Sequence, residues 1–191
     1  RIVACLSEKG ILDETIIIYT SDHGDHMGER GLYLKGPMLY DSLLNVGMIA
    51  RGPGIQAGTS EIAPITTLDV AATICDYAGT TLPADAQSIS LKKCFEGDKS
   101  PHQAVYSEWD VAASRCGVRL DLRTVHTGYA KLTLELQSGD GELYNLINDK
   151  YEMENLWDKP EAAALQAKLN DLLLLRPGQE LNDFDEPIGV A

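Results

Sequence analysis

Basic side chains are in short supply: 16 Lys and Arg stand against 29 Asp and Glu in 191 residues, a formal charge of −13. Nucleic acid is therefore not expected as a partner, since its phosphates draw on Lys and Arg. Acidity by itself bears on solubility and points to no partner. No apolar run approaches the roughly 18 residues of a membrane span, so no membrane is expected as a partner. No C-x-x-C pair occurs among Cys5, Cys75, Cys94 and Cys116, which argues against a structural zinc site. Their spacing suggests no disulfide framework and leaves the redox compartment open. Cys5 and Cys75 fall on apolar helix faces and are expected as small core residues. The glycines at 24, 28, 31 and 36 have neither G-x-x-x-x-G-K-[ST] nor G-x-G-x-x-G spacing, so they make no phosphate cradle. There is no internal repeat and no low-complexity block. The first residues lack both the basic segment of a signal peptide and an initiator Met, and the expectation is an excised piece of a longer protein.

Apolar residues make up 44% of the chain, enough for a core. Ile2, Val3, Cys5 and Leu6 predict one face of a helix stopped by Gly10. Thr15-Ile16-Ile17-Ile18-Tyr19-Thr20 is a nearly continuous β-branched run, the pattern of a strand buried on both faces in a parallel sheet. Met48-Ile49-Ala50 predicts another short strand, closed by Gly52-Pro53-Gly54. Leu68 to Ala78 has helical spacing, with Gly79 beyond it. Helix, strand, loop, strand, helix is an α/β order. After about residue 100 the pattern changes. Ala104–Trp109, Val118–Val125, Tyr129–Leu136 and Leu143–Leu146 predict strands, and the Ser138-Gly139-Asp140-Gly141 turn makes the sheet antiparallel. A helix is expected near Pro160, with Asp158 as its cap and Glu161 completing a capping box. Leu165, Leu169, Leu172 and Leu173 form its apolar stripe, expected to cover one face of the sheet. From Gln179 an acidic tail is expected to lie loosely on the surface.

Chemistry is densest at Ser21-Asp22-His23-Gly24-Asp25-His26, where the first strand ends. In α/β sheets, ligands bind outside the carboxyl ends of strands. Asp22 offers a hard oxygen and His23 an imidazole nitrogen, a pair suited to a divalent cation such as calcium, manganese or zinc. Spacing alone leaves a second reading open, a solvated loop in which Asp22 caps a turn. His23 and His26 could sit one helical turn apart, but nothing completes a zinc set around them. Lys35, after Gly31-Leu32-Tyr33-Leu34, could offset oxyanion charge beside a metal, or be a solvated loop cation.

The run Asp13-Glu14-Thr15-Ile16-Ile17-Ile18-Tyr19-Thr20-Ser21-Asp22-His23-Gly24 resembles the signature of the sulfatase family. Gly28-Glu29-Arg30-Gly31-Leu32-Tyr33-Leu34-Lys35-Gly36 resembles the loop that follows it in that family. Ile49-Ala50-Arg51-Gly52-Pro53-Gly54 and Leu68–Ile74 resemble the next strand and helix. Arg123-Thr124, Tyr129-Ala130-Lys131-Leu132, Glu142–Leu146 and Glu154-Asn155-Leu156 resemble its C-terminal subdomain. The resemblance runs in order over about residues 1–175. It implies a partial alkaline-phosphatase-like core over residues 1–100, then a small antiparallel sheet packed on a C-terminal helix over 101–175, then the acidic tail over 176–191.

By the same resemblance, Asp22 and His23 are ligands of the active-site cation, calcium first and manganese second. Lys35 binds the sulfate group and steadies charge on the bridging oxygen, with both cation residues and Lys35 facing one concavity. The family nucleophile is a formylglycine made in a C-x-[PA]-x-R motif. None of the four cysteine contexts fits it, and the family's paired N-terminal aspartates are missing. The implied activity is hydrolysis of a small-molecule or glycan sulfate ester. It requires a missing N-terminal half that supplies the formylglycine, and the piece by itself is expected to be inactive and either to self-associate or to expose apolar surface. A phosphodiesterase or phosphonate monoester hydrolase of the same superfamily is the rival enzyme. A non-catalytic interaction domain is the rival of another class.

Overall fold

The computed structural model describes residues 1–111 and 117–178. Cys116 and the tail from Gln179 onward lie outside the described residues. The chain divides into two compact units. One comprises residues Arg1–Gly24 and Asn45–Gln103, the other Asp25–Leu44 and Ala104–Ala191.

In the first unit, helix α1 (Ile2–Glu8) ends as expected before Gly10, whose φ is +71°. Its apolar face is not covered: Ile2 and Cys5 are exposed, so Cys5 is not a core residue, while Cys75 is half-buried. Strand β1 (Ile17–Tyr19) is shorter than the apolar run that encodes it, because Thr15 closes the 3-10 turn Leu12–Glu14. The expectation of a parallel strand buried on both faces is corrected here. β1 pairs antiparallel with β4 (Ile49–Arg51), Ile18 opposite Ala50. These two strands make a sheet of their own. With one partner strand the apolar run is half-covered, and Tyr19 is 71% exposed. Gly52 follows at φ +150°, where a Cβ would lie 2.8 Å from Ile16 Cα. Only glycine lets the two strands close up there. Helix α3 (Asp69–Tyr77) fills the predicted span. Its first residue is wholly buried: the Asp69 carboxylate accepts from the N–H groups of Thr66 (3.1 Å) and Ile89 (2.9 Å) and from His102 Nε2 (2.7 Å).

In the second unit, β2 (His26–Met27) and β3 (Tyr33–Leu34) form a small hairpin, followed by the short helix α2 (Asp41–Leu44). Four strands, β5 (Val105–Val111), β6 (Leu120–His126), β7 (Ala130–Glu135) and β8 (Gly141–Asn145), form an antiparallel sheet in sequence order. Their register sets Val125 opposite Leu132 and Leu132 opposite Leu143. Helix α5 (Ala163–Leu173) adds Leu169, Leu172 and Leu173 to that core. The short helix α4 (Lys92–Phe95) belongs to the first unit. The expected capping box is absent. The helix is entered through the 3-10 turn Pro160–Ala162 without a side-chain cap, and Asp158 instead binds Gln166, whose Nε2 donates to Oδ1 at 3.1 Å. Among the described residues no helix is long and apolar enough to cross a membrane.

Candidate functional site

The strand-end cluster is built by β1. Beyond Tyr19 the backbone turns tightly, held by Ser21 Oγ, which donates to His23 O at 2.7 Å. Asp22 Oδ1 accepts from the His23 backbone N–H at 3.0 Å. That bond, then the residue's own N–H, then the imidazole charge hold the Asp22 carboxyl below its ordinary pKa. His23 Nδ1 lies 2.7 Å from Gly24 O. A carbonyl can only accept, so Nδ1 carries a proton and donates it to Gly24 O. Nε2 faces Asp22 Oδ2 at 3.7 Å. A carboxylate oxygen and an imidazole nitrogen are both donor types that divalent cations accept. Among the described residues no set of three or more His, Cys, Asp or Glu side chains is disposed to hold a metal ion. Asp22 and His23 thus bring two donor atoms together without a third described His, Cys, Asp or Glu beside them.

Lys35 and His26 belong to the second unit, Asp22 and His23 to the first. His26 is a core residue of the hairpin. It is 2% exposed, its Nδ1 is 2.7 Å from Ser42 Oγ, and its ring meets Tyr40 edge-on. Lys35 is exposed and follows Leu34, which has a φ of +64°.

Around the Lys35 loop lies a charged cluster that the sequence did not announce as functional. Arg30, in the hairpin turn, stacks over the Tyr40 ring at 3.9 Å and donates to the carbonyls of Tyr151 and Glu152. Lys131, 1% exposed, donates to Leu39 O (2.7 Å) and Asp41 Oδ1 (3.1 Å) and pairs with Glu152. Burial pushes the Lys131 ammonium down to about 8 against the pull of Asp41. His126 Nδ1 accepts from Gly128 N–H at 3.0 Å, so Nε2 carries the proton toward Asp41 at 3.4 Å. A lysine inside the run Tyr129-Ala130-Lys131-Leu132 was the available signal: an ammonium among core residues requires buried acceptors.

Comparison with known proteins adds the following. The profile of the family described as N-sulphoglucosamine sulphohydrolase, C-terminal, matches residues 28–177. The Delta 4,5-hexuronate-2-O-sulfatase of Bacteroides thetaiotaomicron is 33% identical over 164 residues, 83% of this chain and 34% of that protein. The N-acetylglucosamine-6-O-sulfatase of the same organism is 33% identical over 185 residues, 91% of this chain and 32% of that protein. A structure solved in complex with its substrate D-glucosamine-2-N,6-O-disulfate superposes with a TM-score of 0.83 at 31% identity, over 92% of this chain and 36% of that one. The chain thus spans about a third of the length of the curated relatives it matches.

Proposed function

Because the chain belongs to the sulfatase family, with its alkaline-phosphatase-like fold, we propose that it supplies part of the metal and sulfate site of a sulfuric-ester hydrolase. The observation that carries this reading is the Ser21-Asp22-His23-Gly24 strand end, with Asp22 Oδ2 and His23 Nε2 3.7 Å apart. Asp22 and His23 would hold a divalent cation, calcium first and manganese second. When bound, such a cation polarises sulfate oxygens and offsets negative charge. Asp22 stays ionised because its carboxylate is hydrogen-bonded by the turn, and His23 donates from Nδ1 to Gly24 O, so that the neutral ring presents Nε2. Lys35 binds the sulfate and stabilises charge as the ester bond breaks. The formylglycine nucleophile comes from outside residues 1–191, and so do the remaining metal ligands. The substrate is a sulfate ester, and the relatives that act on sulfated uronate and glucosamine units favour a glycan over a small molecule.

The test is hydrolysis of a chromogenic aryl sulfate by the full-length protein, with calcium or manganese added. Asp22→Ala and Lys35→Ala are each expected to lower kcat/KM by about 10²–10³-fold, and residues 1–191 by themselves to show no turnover. Full activity in both variants, or metal-stimulated turnover by residues 1–191, would overturn the assignment.

A further inference from the structure

Glu152 lies in the turn after β8, 3% exposed and with φ +55°. Its two polar groups reach two different stretches of distant chain. The backbone carbonyl accepts from Arg30 Nε (3.3 Å) and Nη2 (2.9 Å), before the Lys35 loop. The carboxylate accepts from the Asp41 backbone N–H at 2.9 Å, after it. Lys131 completes the second foot: it pairs with the Glu152 carboxylate and also holds Leu39 O and Asp41 Oδ1. Residues 31–38 are thus an arch with both feet fixed at one glutamate, and Lys35 stands on the arch.

We propose that Glu152 is a positioning residue for Lys35, holding both ends of the loop that presents the Lys35 ammonium to sulfate. The inference rests on Lys35 being the sulfate-binding cation. Two further observations support it. A buried ion pair is an expensive way to obtain stability, because well-packed apolar residues serve as well or better. What fixed charges add is a single path for the backbone they bind. In addition, Leu34 directly before Lys35 has a left-handed φ of +64°. A non-glycine residue keeps that conformation only when its surroundings over-determine it.

The experiment is a double-mutant cycle on kcat/KM with an aryl sulfate, in the full-length protein. Glu152→Ala is expected to lower kcat/KM by about tenfold to a hundredfold, since displacement of a catalytic group by about 1 Å has that effect. Glu152→Gln keeps an acceptor for the Asp41 N–H and is expected to recover part of the loss. In a Lys35→Ala background, Glu152→Ala should have little further effect. Multiplicative losses would overturn the proposal, because Glu152 would then act through general stability. A Lys35→Ala variant with unchanged kcat/KM would instead remove the functional reading on which the inference rests, and the inference with it. Should Glu152→Ala fail to fold, Arg30→Lys releases the first foot alone. Amide hydrogen exchange is then expected to speed up over residues 31–38 and to stay unchanged in β5–β8; unchanged exchange over residues 31–38 would overturn the proposal.

Discussion

Asp41 is one carboxylate pulled in opposite directions. Burial raises its pKa, while the His126 hydrogen bond and the Lys131 charge outweigh burial and bring it from 3.8 to about 2. A carboxyl whose folded pKa lies below its unfolded value stabilises the fold above about pH 4, and that contribution fades as pH falls through 2. Between pH 5 and pH 2 the loss is about 2 kcal/mol. Urea unfolding at the two pH values should show the native chain losing about that much more than Asp41→Asn; equal losses would mean that His126 and Lys131 do not favour the ionised form. Residues differ in how far they could be read in advance. Asp22, His23 and Lys35 could be named as candidates because each sits in a short local motif. Glu152 could not: in Lys150-Tyr151-Glu152-Met153 it reads as a solvated turn acid, and its partners Arg30 and Asp41 lie 122 and 111 residues away.

At the level of elements, local chemistry and outcome agree best where a strand's neighbour is also its neighbour in sequence. The β7–β8 turn is closed by Gly139 N–H to Glu135 O (2.9 Å) and Glu135 N–H to Asp140 O (2.8 Å), where Ser138–Gly141 was expected to turn. Of the leucine stripe of α5, Leu169, Leu172 and Leu173 are buried as read, with Leu169 at 0% exposure, while Leu165 is half-buried. Leu169→Ala should therefore cost about 2–5 kcal/mol in denaturant unfolding, since Leu169 is fully buried in the core cluster that also holds Val125, Leu132 and Leu143; a change near zero would contradict that packing. β1 is the counter-example. An apolar run states that a strand has affinity for cover but not which strand will lie beside it or in which direction. Asp158 fails for a related reason: its cap pattern was local, but Gln166 one turn into the helix binds it first.

The whole molecule is unevenly endowed with core. Among the described residues of the first unit, Asp69, Thr73 and Leu91 alone are buried. Tyr19, Ile49, Ile62 and Ile74 are all more than half exposed, and an open cavity of about 580 Å³ is lined in part by Ile49, Ile55, Leu91 and Phe95. So much unshielded apolar surface favours association. Residues 1–191 by themselves should elute later on dilution in sizing experiments, and Ile49→Lys with Ile62→Lys should weaken that dependence. Concentration-independent monomer would count against it. The joining of residues 25–44 to a sheet that begins only at Val105 also has a consequence in time. A ribosome adding about 5–20 residues per second releases Arg30 some 122 residues before Glu152. The Lys35 arch therefore waits about 6–24 s for its anchor, and until then the path of residues 31–38 is set by local contacts alone.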